Sequence, residues 1–185
     1  MSRDRGIIVD RELSHAFHNG INTTLLIEKI VRERVFDSLY YKQFCFNVNA
    51  ATILDRAVEL ACIGSFEQSG RPFPFLCLLV KLIQLAPQRE IIDFYISQER
   101  FKYLRVLGLL YVRIVYRDLK SLRPYLEDYR KLRLYEHGEW RLCHVDEVVD
   151  KLLNDEFFIG IRKDNLTNVI TSDIDEINGN RITMT

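Results

Sequence analysis

Residues 72–115 read PFPFLCLLVKLIQLAPQREIIDFYISQERFKYLRVLGLLYVRIV, and the way this stretch folds decides the fold of the chain. Phe75 to Val80 is apolar without interruption, and Leu82, Ile83 and Leu85 follow a single lysine, Lys81. The run is too short to cross a bilayer, which takes about 20 residues. Its leucines and its length up to Ala86 favour helix over strand, although periodicity alone does not separate the two for so uniform a run. Pro72 and Pro74 sit where a first helical turn tolerates proline, because an N–H there has no intrahelical acceptor anyway. A helix apolar on nearly all sides must be covered on nearly all sides, so this one belongs at the centre of a helical domain. Pro87 opens a second helix with Ile91, Ile92, Phe94 and Tyr95 on its apolar side. After Gln98 a long amphipathic run sets Phe101, Leu104, Gly108, Tyr111 and Val115 on one stripe. A glycine inside a helix costs roughly 0.5–1 kcal/mol relative to alanine. Gly108 therefore predicts a close approach of two helices.

Upstream, Asn22 or Thr23 caps a helix whose face is Ile27, Ile30, Val31 and Val35 at spacings of three and four. The aromatic cluster Phe36, Tyr40, Tyr41, Phe44 and Phe46 reads as packing material. Asn47 or Asn49 caps the next helix, with Ile53, Ala57, Leu60 and Ala61 on its face and Gly64 as its stop. Downstream, Asp118 to Leu122 makes a helical turn, and Pro124 opens another running to about Leu132. Residues 133–143 then alternate around a His137–Gly138 turn like a two-stranded hairpin, with Trp140 expected to anchor it on the helices. Asp146 caps a final helix bearing Val148, Val149, Leu152 and Leu153. The expected architecture is all-α: a single multi-helix domain around a central buried helix, with one small β-hairpin near residues 133–143. Its divisions are a polar arm at 1–21, the helical domain at 22–160 and a polar tail at 161–185.

With 185 residues, 48% of them hydrophobic, the chain suits one domain with a substantial core. Twenty-six basic residues balance 26 acidic ones, so there is no net charge to drive indiscriminate binding to phosphates. The charge is uneven all the same: Arg100 to Arg133 carries ten basic residues against three acidic, and Asp146 to Glu176 nine acidic against three basic. The four cysteines, Cys45, Cys62, Cys77 and Cys143, show no metal-type pairing. The start, MSRDRGIIVD, lacks the apolar core of a secretory leader, which leads us to expect a reducing intracellular setting. No stretch reads as a membrane span.

The search for chemistry finds no catalytic, cofactor or metal set. His15 and His18 share a helical spacing without further ligands nearby. Cys143, His144 and Asp146 crowd together, but neighbours on a strand point to opposite faces, a poor geometry for nucleophile and base. Asp146 and Asp150 stand at i and i+4, where Lys151 marks an ordinary solvated face. The eight glycines are scattered and form no phosphate-cradling loop. The chief surface feature is the basic set Lys102, Arg105, Arg113 and Arg117, reinforced by Lys120 and Arg123 and interrupted by Leu109. It reads as a solvated face, or as a docking surface for an acidic helix or for RNA.

Several blocks together resemble the pre-mRNA-splicing factor 38 family. They are INTTLLIEKIVRERVFDSLYYKQFCF (21–46), ATILDRAVELACIGS (51–65), PFPFLCLLVKLIQLAP (72–87), FKYLRVLGLLYVRI (101–114), LEDYRKLR (126–133) and HVDEVVDKLL (144–153). They follow the family's order over most of the chain. The resemblance implies a nuclear, non-enzymatic scaffold of the spliceosome, acting with the tri-snRNP at the activation stage. It implies protein partners, namely a helical charge-rich spliceosomal protein and a small zinc-finger one, and supplies no catalytic residues, cofactor or membrane contact. LKSLRPYLEDYRKLR looks a few residues shorter than the family's form, and the long Arg/Ser- or charge-rich tail of some members is missing. For partner binding the chain's own charge pattern nominates Lys102, Arg105, Arg113 and Arg117. The alternative is direct RNA binding through the basic segment 100–133.

Overall fold

The computed structural model describes residues 17–18, 21–155 and 157–162; most of the expected arm at 1–21 and of the expected tail at 161–185 lies outside the described residues. The described chain runs from a two-residue ladder, β1 (Phe17–His18) with β2 (Ile21–Asn22), through a 3-10 turn at Thr23–Leu26 into α1 (Lys29–Asp37). A π-helical turn (Tyr41–Cys45), the short α2 (Ile53–Ala57) and strand β3 (Ile63–Gly64) lead to α3 (Pro74–Leu85). Then come α4 (Arg89–Ser97), α5 (Lys102–Tyr111) with a π-helical extension (Val112–Tyr116), and a 3-10 helix (Lys120–Glu127). The hairpin β4 (Lys131–Glu136) and β5 (Glu139–His144), then α6 (Val145–Asn154) and the ladder β6 (Phe157–Phe158) with β7 (Ile161–Arg162), complete it.

The central helix is where its composition demands. Pro74 occupies the first turn of α3, and every residue from Phe75 to Ile83 is buried, Lys81 included. That lysine is tolerable because its Nζ donates to the Phe46 carbonyl at 3.2 Å and to Gln84 Oε1 at 3.3 Å. The helix ends as Ala86 turns left-handed (φ 43°) ahead of Pro87, and Thr23 Oγ1 donates to the last-turn carbonyl of Ile83 at 2.8 Å. Asn22 accepts from the Thr24 N–H at 3.0 Å, so it caps the 3-10 turn, and α1 starts later, at Lys29.

Gly108 marks the α4–α5 crossing. A Cβ built there would lie 2.7 Å from Ile96 Cγ1, closer than carbon atoms pack. Gly108→Val should therefore destabilise the chain by about 2–3 kcal/mol through overpacking, read from urea midpoints. A variant as stable as the parent would show that Ile96 yields freely.

The all-α expectation is overturned. A three-stranded mixed sheet, in the order β3–β4–β5, packs against the helices. The hairpin lies where the alternation placed it, and His137 (φ 54°) with Gly138 (φ 85°) supply the two positive φ values of a type I′ turn. The third strand is what the sequence reading missed: α2 stops at Ala57, and Ile63 and Gly64 pair parallel with Leu134 and Tyr135. Parallel pairing between segments so far apart leaves no local turn signal. Three further expectations give way here. Pro124 lies inside the 3-10 helix, and β4 starts where a helix to Leu132 was expected. His144 holds the N-cap position of α6, with Asp146 and Glu147 in the first turn. The hairpin is anchored by Leu132, Leu134 and Cys143, which are buried, while Trp140 stays 52% exposed.

Candidate docking surfaces

The four nominated basic residues do different things. Arg105 is 9% exposed: its Nε donates to the Ile96 carbonyl at 2.8 Å, and its Nη1 to Asp128 Oδ2 at 2.9 Å. Arg130 pairs with the same carboxylate. Burial alone would raise the Asp128 pKa, but the hydrogen bonds from Arg130 and Arg105 outweigh it and bring it down to about 2. Arg105 thus clamps the C-terminal end of α4 to the segment entering β4. Lys102 donates to the Lys131 carbonyl. Arg113 Nε donates to the Leu152 carbonyl at 2.9 Å, in the last turn of α6, where a cation also favours the helix dipole. Burial and the neighbouring Arg117 both lower the Arg113 pKa. Arg117 takes a left-handed conformation (φ 55°) after the π-helical turn. Three of the four are thus tied into the fold.

A different surface is open. Between α1 with the turn after it and the 67–72 loop lies a groove of about 840 Å³, lined by Ile30, Leu39, Tyr40, Phe44 and Pro72. Ile30 is 57% exposed and Leu39 68%. Glu33, Arg34 and Asp37 stand on one side, and on the other Arg71 and Glu67 pair at 3.5 Å. An apolar patch rimmed by charge is the usual mark of a protein-interaction site. The spacing assigned Ile30 to the buried face of α1, yet Ile27, Val31 and Val35 already fill that face. A stripe wider than its neighbour needs was the available signal.

The reactive-looking groups are placed for structure. Cys143 lies on the inner face of β5 with its thiol pushed up to about 11 by burial, and its neighbour His144 lies on the outer face. Burial pushes Cys45 and Cys77 up to about 12, far from the thiolate that nucleophilic chemistry requires. One ligand atom each of His144, Asp146 and Glu147 falls within 4.8 Å of the others. His144 Nδ1 is 2.8 Å from Glu147, and both acids favour the positive end of the α6 dipole. No helix among the described residues is long and apolar enough to cross a membrane.

A helix-rich domain that leaves an apolar groove rimmed by charge facing outward has the surface of a protein-interaction domain. The chain belongs to the PRP38 family, whose model matches residues 17–176. It is 52% identical over 136 residues to pre-mRNA-splicing factor 38 of Schizosaccharomyces pombe, covering 72% of this chain and 65% of that protein. It is 41% identical over 148 residues to pre-mRNA-splicing factor 38A of Homo sapiens, covering 77% of this chain and 47% of that one. The match thus spans about two thirds of the one relative and half of the other. Among solved structures, it resembles a chain of the crystal structure of the Snu23–Prp38–MFAP1(217–258) complex of Chaetomium thermophilum. There the TM-score is 0.73 and the identity 38%, with 83% of this chain and 86% of that chain covered.

Proposed function

We propose that this chain is a non-enzymatic scaffold of the spliceosome, acting in the nucleus with the tri-snRNP as the complex is activated, and that it holds partner proteins through the α1 groove. The observation that carries the reading is the exposure of Ile30 and Leu39 side by side in a groove rimmed by charge. An amphipathic helix suits such a groove, with apolar anchors one turn apart and charges for the rims. The related crystal structure contains Snu23 and a segment of MFAP1, and the partners inferred here are their counterparts: a helical, charge-rich protein and a small zinc-finger protein. A second contact belongs to Arg117. It raises the electrostatic cost of charging the partly buried Arg113, and an acidic partner group would relieve that repulsion.

Calorimetric titration of the chain with the segment corresponding to MFAP1(217–258) tests both. Ile30→Asp and Leu39→Asp should each weaken binding about thirtyfold, as for a hot spot of about 2 kcal/mol, with the melting temperature unchanged. Unchanged affinity in both variants would remove the groove from the interface. Arg117→Glu should weaken binding and flatten its salt dependence, and no change in either would remove the second contact.

A further inference from the structure

The outer face of the sheet has no role in the protein-docking reading, and its make-up differs from that of the groove. Because Leu132, Leu134 and Cys143 point into the core, strand alternation puts Lys131, Arg133 and Tyr135 of β4 outside with Trp140, Leu142 and His144 of β5. The register sets them in pairs: Tyr135 beside Trp140, Arg133 beside Leu142, Lys131 beside His144. On β3, Gly64 stands opposite Tyr135, and its missing side chain leaves room for the Phe73 ring. A Cβ on Gly64 would come within 2.7 Å of Phe73 Cδ2.

Three rings therefore cluster on this face: Phe73, at the N-cap of α3 beside Gly64, Tyr135 of β4 and Trp140 of β5. Ring centroids are 5.0 Å apart for Phe73–Tyr135, 5.0 Å for Tyr135–Trp140 and 5.8 Å for Phe73–Trp140. Phe73 is the buried floor, whereas Trp140 is half exposed and Leu142 is 69% exposed. The Arg133 guanidinium lies 4.8 Å from the Trp140 ring centroid, and Lys131 stands in the next row, where Lys102 reaches the Lys131 carbonyl. None of the six outward residues of the hairpin carries a carboxylate. Glu136 is turned to the other side, where Lys151 holds it at 2.8 Å, and Glu147, at the far edge, is engaged by His144.

We propose that this face is a stacking platform for unpaired RNA bases. Tyr135 and Phe73 meet Trp140 edge to face (interplanar 64° and 85°) and hold its half-exposed ring in place. That ring, with the cations beside it, offers a single strand a π-face to stack on and charges for its phosphates. The Arg133 guanidinium next to the Trp140 ring adds a second group on which a base can lie, since bases stack on guanidinium groups as well as on rings. A duplex offers no free base face to such a surface. An acidic peptide would meet the cations but would leave Trp140 and Leu142 without a flat partner. The charge complementarity lies in Arg133 and Lys131, within the segment where the basic residues concentrate.

Trp140 is the only tryptophan of the chain, so its emission reports the event directly. The full chain is titrated with a dodecameric oligouridylate and with a duplex RNA of the same length, reading Trp emission and the anisotropy of labelled RNA. Saturable quenching by the single strand is expected, with the duplex bound several-fold more weakly. Neutralising two phosphates predicts a slope of log affinity against log salt of about −1.4. Trp140→Leu and Arg133→Glu, both at exposed positions, should each weaken the single strand by roughly tenfold or more, with thermal melting showing the variants folded. Ile30→Asp should leave RNA binding intact, which separates this face from the groove. RNA bound without quenching, equal affinity for the duplex, or no loss in Trp140→Leu would overturn the proposal. So would Trp140 emission that moves with a spliceosomal partner peptide and not with RNA, because the face would then be a protein interface.

Discussion

Arg105→Met is expected to cost about 3 kcal/mol of stability while leaving partner affinity where it was. The Arg105 and Asp128 side chains are each only 11% exposed, and their N–O distance is 2.9 Å. Breaking a buried pair by removing one partner typically costs 3–5 kcal/mol, because the remaining charge stays behind. Arg130 still reaches Asp128 in the variant, which holds the loss at the lower end. The carbonyl of Ile96 loses its donor as well.

The same pair sets an acid limb. Asp128 has its folded pKa depressed to about 2, against about 4 in an unfolded chain. The stability this shift supplies is therefore complete above pH about 4 and is lost as the pH falls from there toward 2. Asp128→Asn should be less stable at neutral pH and should lose less on acidification. Urea midpoints at pH 7 and between pH 4 and 2 measure both effects. Parental stability in Arg105→Met, with weakened partner binding, would return Arg105 to the surface role its place in the sequence suggested.

Leu79→Ala should lose about 3–5 kcal/mol, the range for a cavity that its surroundings cannot close. Leu79 is fully buried in the middle of α3, and that helix contacts α1, α2, α5, β3, the Thr23–Leu26 turn and the π-helical turn at Tyr41–Cys45. No neighbour can move in without breaking another contact, because each packs on the helix from a different side. The loss is a large part of the 5–15 kcal/mol that a domain has in total. It should appear as a lower denaturant midpoint at unchanged slope. A loss below about 1 kcal/mol would mean that α3 is not the rigid centre.

The contrast between Leu79 and Leu39 shows where reading along the chain succeeds and where it stops. The unbroken apolar run of α3, with Pro74 at its start, was enough to place a helix with no free face. The His137–Gly138 turn was legible because a tight hairpin is local, and Gly108 because a helical glycine requires a packing reason. The resemblance to the splicing factor 38 family was legible too, carried by blocks that run through the whole domain. Ile30 and Leu39 look like core by residue type, and only the arrangement of α1 against the 67–72 loop leaves them outside. Trp140 looked like an anchor, and the register of β4 with β5 turned it outward.

Arg105 is the sharpest case. Its charge and helical spacing matched those of a surface stripe, but Asp128, 23 residues further on, folds back to cover it. Periodicity, capping and turn chemistry act within a few residues, so the chain's own order settled the central helix, the hairpin and the buried centre. The third strand, the buried ion pair and the open groove depend on segments far apart in sequence. Which of them meet is a property of the packed whole, so tertiary structure alone decided which apolar and basic side chains remain free for a partner.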